Sequence, residues 1–210
     1  MPTPCFWLEP GDQVERWLRR FTYGSKRPCA VGSAGHEAQR RIDDAGAARN
    51  ASGLIQTSGD LWPHDDPRWP TSCDACGVVF TDDDEWQVRH EQIFVVTTTV
   101  PGCLIVPGSR YVLRFQAPPD GTPAAPPGAM WDAPWLSFWR GSDGRSLTVR
   151  LPDGRDWSID GPSSRTGDPG WTRSGTPPMI TAQPSILTER YHGFLQAGVL
   201  TDDLEGRTYG

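Results

Sequence analysis

The chain has a single lysine, Lys26, a single asparagine, Asn50, and no run of basic residues. With 20 Lys and Arg against 26 Asp and Glu, its formal charge is −6. It therefore lacks the clustered cationic excess that counterion release from a phosphate backbone requires, which disfavours a nucleic-acid partner. The scarcity of lysine and asparagine fits codon avoidance in a GC-rich genome. No apolar stretch approaches the roughly 18 residues of a membrane span. Met1 to Pro10 has neither the basic start nor the apolar core of a secretory signal, so the expectation is no membrane partner and no secretion by a signal peptide. Hydrophobic residues are few, at 36%, and 23 Gly with 21 Pro exclude an architecture of long helices. The ten Trp in turn oppose wholesale disorder. A chain of 210 residues makes one domain or two small ones.

The expected fold class is α+β and β-rich. Asp12 to Tyr23 places Val14, Trp17, Leu18 and Phe21 at i, i+3, i+4 and i+7, which predicts an amphipathic helix capped by Asp12. Gly35 to Ala48 continues as a thinner second helix through Ala38, Ile42 and Ala45. Asn50 to Pro70 is a loop held by tryptophans, since its prolines forbid a regular helix or a central strand. Val78 to Phe80 reads as a short strand, and Thr81-Asp82-Asp83-Asp84 as the acidic start of a short helix through Trp86 and Val88.

Ile93 to Val100 and Tyr111 to Phe115 read as strands. Asp153-Gly154 joins Leu147, Val149 and Leu151 to Trp157 and Ile159 as a hairpin. Ser163 to Pro178 reads as loop, and Ile186-Leu187 with Tyr191 to Leu200 as a closing strand pair turning at Gly198. The Pro-rich segment 118–127 divides residues 1–117, a module with the N-terminal helix, from residues 128–210, a Trp-rich module of antiparallel hairpins or a small sheet. No internal repeat is present.

Chemistry concentrates in Cys73-Asp-Ala-Cys76-Gly77. Two thiols three positions apart reach one cation from a tight turn, and the following glycine admits the backbone conformation that turn needs. Two further ligands are required. Cys29 and His36 lie across a Gly-Ser-Ala-Gly turn, and they complete the predicted set, with His64, His90 and Cys103 as reserves. A thiolate-rich, redox-silent tetrahedral site favours structural zinc (Zn2+), which would pin the N-terminal module, although softness alone also admits iron. Two buried free cysteines, or a redox pair, are the competing readings. The redox pair lacks a helix beginning at the second cysteine. Five cysteines are an odd number, and this speaks against a disulfide framework.

A catalytic metal finds less support. The deaminase pattern of His-x-Glu with Pro-Cys-x-x-Cys fails, because Glu37 directly follows His36, Glu91 directly follows His90, and Ser72 precedes Cys73. His-Glu-x-x-His, the nucleophile elbow, the P-loop and the dinucleotide glycine pattern are all absent. The acidic run Asp82 to Glu85 lacks calcium-loop spacing, and His192 reads as a sheet histidine. Trp131, Trp135, Phe138 and Trp139 read as core burial before a stacking platform.

Several stretches together resemble a group of uncharacterised actinobacteriophage proteins with a Cys-x-x-Cys-Gly knuckle and a Trp-rich C-terminal half. They are Arg27-Pro-Cys29 with His36, Trp62-Pro-His-Asp-Asp-Pro-Arg-Trp-Pro70, Cys73-x-x-Cys76-Gly77 with Asp83-Asp84-x-Trp86-Gln87, Pro127-Gly-Ala-Met-Trp131-Asp-Ala-Pro-Trp135, Leu151-Pro-Asp-Gly-x-x-Trp157, and Ser185-Ile186 ahead of Tyr191-His-Gly-Phe-Leu195. The resemblance carries no activity. It implies a zinc-knuckle-like first half, and adds to the reading of Cys29 and His36 as ligands. The segment Val95 to Tyr111, with Cys103, departs from it.

The resulting expectation is a non-enzymatic bacteriophage protein acting through protein–protein contacts in the host cytoplasm or the virion, as a capsid, connector or tail accessory. Its partners would be other phage proteins or further copies of itself. The alternatives are a zinc-dependent hydrolase or nuclease of host takeover, with His64, Asp65 or His90 at an open metal, and a nucleic-acid-binding or regulatory zinc protein.

Overall fold

The structure, a computed structural model, describes residues 1–22, 29, 31, 35–46, 48–49, 55–56, 63–114, 121–162 and 170–209, and of residues 43–46, 48–49 and 55–56 the backbone alone. In chain order the strands are β1 (Thr3–Pro4), β2 (Phe6–Phe21), β3 (Glu37–Gly46), β4 (Ala48–Arg49), β5 (Ile55–Gln56), β6 (Glu85–Thr99) and β7 (Arg110–Tyr111). They continue as β8 (Ala129–Asp132), β9 (Leu147–Arg150), β10 (Asp156–Ser158), β11 (Thr172–Ser174), β12 (Thr181–Leu187), β13 (His192–Gln196) and β14 (Val199–Leu200). The only helical element among the described residues is the 3-10 turn Pro134–Leu136. The protein is therefore β-rich, and the predicted α+β class with short helices is corrected. No helix among the described residues is long and apolar enough to cross a membrane.

The chain forms two compact units. One contains Met1–Pro10, Phe94–Gln116 and Ala124–Gly210, and the other Gly11–Ile93 with Ala117–Pro123. This grouping is discontinuous in sequence and differs from a cut at 118–127. The strands β2 and β6 each contribute residues to both units, so the division crosses two strands rather than following one linker. Residues 115–120 of the Pro-rich region lie outside the described residues.

In the first unit a five-stranded antiparallel sheet runs β1-β14-β13-β12-β11. Its inner face gives Ala182, Ile186, Leu195 and Leu200 to a core shared with Met130, Leu147, Val149, Leu151, Ile159 and Ile180. The β9–β10 hairpin sets Trp157 opposite Val149, as its alternation predicted. The start of β2 pairs in parallel with β8, Phe6 opposite Ala129, and Phe6, Leu8, Phe94, Val96 and Trp131 form a second cluster. Arg150 is buried there without a lone charge, because Asp156 faces its Nε at 2.8 Å and the Ala125 and Leu113 carbonyls accept from its Nη atoms. The closing strand pair is present as β12, β13 and β14, with Gly198 at the turn (φ 76°).

In the second unit, the predicted helix over Asp12 to Tyr23 is instead the long strand β2, antiparallel to β3 from Gln13 opposite Gly46 to Phe21 opposite Glu37. Tyr23 lies outside the described residues. The apolar set Val14, Trp17, Leu18 and Phe21 fits a helical period, but residues 14–18 are all buried, Glu15 and Arg16 included. A strand covered on both faces loses its period of two. Glu15 is satisfied there: its carboxylate accepts from the Thr122 N–H at 2.8 Å, the Thr122 hydroxyl at 2.6 Å and the Trp17 indole at 3.2 Å. Arg20 donates to the carbonyls of Pro70 and Thr81 at 3.0 and 2.7 Å, fastening the following segment to the strand.

The second predicted helix, Gly35 to Ala48, is replaced by β3. The third is a turn: the Thr81 N–H donates to the Asp84 carboxylate at 2.6 Å and the Asp84 N–H to the Thr81 carbonyl at 3.0 Å, after which β6 begins. The acidic run caps this turn and not a helix. Ser163 to Pro169 and Trp62 fall outside the described residues. Of the aromatic run, Trp131 is buried, whereas Trp135 and Phe138 are 59% and 71% exposed, so core burial holds for only part of it.

Candidate metal centre

The segment Thr71 to Phe80 folds back on itself around the two cysteines. The Cys73 N–H donates to the Val78 carbonyl, the Gly77 N–H to the Cys73 carbonyl and the Phe80 N–H to the Thr71 carbonyl, each at 2.9 Å, and Ser72 bridges Val79. Gly77 adopts φ +74°, and a Cβ there would meet nothing within 4 Å, so glycine serves backbone conformation alone. This is the knuckle that Cys-x-x-Cys-Gly predicts.

His36 comes from the end of the β2–β3 pair. Beyond Phe21 and Glu37, the Thr22 N–H donates to the His36 carbonyl at 2.9 Å, and the His36 N–H donates to the Thr22 hydroxyl at 3.0 Å. Cys29 belongs to the connection between the same two strands. The knuckle docks on the edge of β3: the Asp74 N–H donates to the Glu37 carbonyl at 3.0 Å, and its carboxylate accepts from the Gln39 N–H at 2.9 Å and from Arg40 at 2.7 Å.

These contacts bring Cys29, His36, Cys73 and Cys76 together, with all four donor atoms within 4.8 Å of one another. Cys29, His36 and Cys73 are buried and Cys76 is half-buried, with Ala38 and Phe80 packed around the sulfurs. The Cys76 sulfur lies 3.2 Å from Nδ1 of His36. Zinc bonds of about 2.3 Å to sulfur and 2.0 Å to nitrogen imply donor separations of about 3.5 to 3.8 Å in a tetrahedron, which a small adjustment of this cluster provides.

The two knuckle thiols are shifted in opposite directions. Burial pushes the Cys73 thiol up, but backbone hydrogen bonds from Glu37, Ala75 and Cys76, together with the His36 side chain, outweigh it and bring the thiol down to about 6. Cys76 moves the other way. The Val78 backbone pulls it down, yet desolvation and the neighbouring Cys29 and Cys73 sulfurs raise it overall, because a further negative charge is resisted. A bound divalent ion would remove that resistance. Three sulfurs and one imidazole are soft and borderline donors, the set suited to zinc, and they would fill four positions.

The reserve ligands lie elsewhere. His64 stacks on Trp69 at 4.1 Å and meets the edge of Trp86 at 5.9 Å, while Asp65 is exposed beside it. His90 is exposed on β6, and Cys103 packs against an apolar cluster of the other unit. None joins the four-donor group. His192 faces Glu205 at 3.6 Å on β13. Two supporting residues went unread in the sequence, Thr22 and Asp74. The signal for Asp74 was its place inside the knuckle, where a short acceptor reaches a neighbouring backbone. Comparison with protein families, curated proteins and solved structures finds no match to this chain.

Proposed function

We propose that this is a non-enzymatic bacteriophage protein in which a structural zinc ion holds the knuckle to the β2–β3 pair, and which acts through protein–protein contacts as a virion accessory, with the host cytoplasm as its place of synthesis. The observation that carries the reading is the closed donor set of Cys29, His36, Cys73 and Cys76. Four protein ligands leave no position for a water nucleophile, so the set supports a structural role over the hydrolase or nuclease alternative. His64, the nearest thing to a catalytic histidine in that alternative, is committed to its stack on Trp69. The acidic balance supports protein partners over nucleic acid. Contact surface is available on the first unit, where Leu104 is 94% exposed and Trp135 and Phe138 project. The bacteriophage part of the reading rests on the resemblance of the quoted sequence stretches. Mass spectrometry of purified particles tests the virion role: the chain is expected at a fixed copy number, and its absence from particles would remove that role.

A further inference from the structure

Away from the candidate metal centre, the five-stranded sheet carries a groove of about 680 Å³, reaching from its β11 edge across β12 and β13, whose lining among the described residues contains no charged side chain. We infer that this groove is a binding site for a neutral carbohydrate, with Trp171 and Phe194 supplying aromatic surface and Thr172, Gln183, Ser185 and Gln196 supplying hydrogen bonds.

The volume lies within the range of small-ligand sites. Trp171 is fixed in place: its indole N–H donates to the Ser185 carbonyl at 3.3 Å, its ring meets Trp157 edge-on at 4.9 Å, and it packs on the core. Phe194 alternates with the buried Gly193 and Leu195 on β13 and so faces outward. Beside them the β12–β13 register shifts, four steps from Ala182 to Ile186 being matched by two from Leu195 to Gly193, which gathers Gln183 and Ser185 at the groove.

The polar side chains of the groove differ from others on or directly beyond the same strands. Thr181, Thr188 and Thr201 are each occupied, accepting from the N–H groups of Ala197, Tyr191 and Phe194 at 2.9 Å. The hydroxyls of Thr172 and Ser185 and the amides of Gln183 and Gln196 make no hydrogen bond to the described residues. They are free for a ligand, and each both donates and accepts.

That combination selects among ligand classes. A nucleic acid or other polyanion needs cations, and none of the described residues lining the groove is one. A purely apolar ligand would strand four polar side chains without partners. A neutral sugar ring offers a C–H face to the aromatic rings and hydroxyls that match amide and hydroxyl partners.

The test is titration of the full chain with maltohexaose, cellohexaose, xylohexaose and chitohexaose, followed by tryptophan fluorescence, with polygalacturonate as the charged control. At least one neutral oligosaccharide is expected to bind. The double variant Gln183→Ala, Gln196→Ala is expected to weaken it by about tenfold with an unchanged melting curve, since both side chains are exposed. Phe194→Leu, which keeps apolar bulk but removes the ring, is expected to weaken it as well. No binding of any of the four at about 10 mM, binding undiminished in the double variant, or preference for polygalacturonate would each overturn the assignment.

Discussion

The backbone N–H of Asp74 donates to the carbonyl of Glu37 at 3.0 Å, which joins the knuckle to β3 one residue beyond His36. Two candidate ligands from one turn and one from a strand end, far apart in sequence, are thus tied together by a main-chain hydrogen bond between their neighbours. The Asp74 carboxylate reinforces it through the Gln39 N–H and Arg40. Groups that orient ligands from behind commonly change metal affinity by about 10- to 100-fold when removed.

If the centre holds zinc as proposed, Asp74→Ala is expected to lower zinc affinity by about tenfold while leaving one ion bound at saturation, because the main-chain bond to Glu37 survives. Competition against a chromophoric chelator measures it, and unchanged affinity would make the carboxylate irrelevant to the centre.

Gly77→Ala costs about 1 to 2 kcal/mol through the left-handed backbone alone, since the added methyl meets no neighbour. Gly77→Asn costs less, because asparagine tolerates this conformation better. Thermal unfolding of the zinc-loaded variants separates the two, and equal melting points would show that the turn has relaxed.

Asp203 makes the first unit acid-sensitive. Its carboxylate, buried among Arg207, Tyr209 and the His192 N–H, is held well below the usual carboxylate range, chiefly by the Arg207 guanidinium. A lowered folded-state value means stabilisation that is present above the unfolded value of about 3.9 and lost as pH falls further. The stability gap between the native chain and Asp203→Asn is thus constant above about pH 5 and narrows below about pH 4. Denaturant titrations across pH read this directly, and a gap independent of pH would contradict it.

The five thiols separate by accessibility. Cys5 is fully buried, and burial, with Cys103 nearby, pushes its thiol up to about 12. Iodoacetamide at about pH 8 should spare Cys5 in the folded chain, whereas Cys73 and Cys76 become labelled only once a chelator is added. Peptide mass spectrometry locates the label, and prompt alkylation of Cys73 without chelator would show that no ion protects it.

The knuckle was readable because Cys-x-x-Cys-Gly is a local device whose turn closes within ten residues. The β9–β10 hairpin was readable for the same reason, Asp153-Gly154 fixing the turn between two alternating runs. β2 was not. Its partners are β3, β6 and β8, and its polar residues Glu15 and Arg16 are buried, with Thr122 bonding to Glu15 from far along the chain, so the pattern that distinguishes strand from helix is set by residues distant in sequence. The acidic run before β6 misled similarly, since Thr81 and Asp84 cap a turn with the residue types that also start helices. The groove on the five-stranded sheet had no sequence signal, because Trp171, Gln183 and Phe194 meet only through strand pairing.

The central claim is tested most directly by native mass spectrometry with elemental analysis of the chain purified without added metal. One zinc per chain is expected. It should be lost in Cys29→Ser and in Cys73→Ser, with unfolding of the metal-bearing unit and retention of the other. A metal-free native chain, whose melting curve both substitutions leave unchanged, would contradict the account.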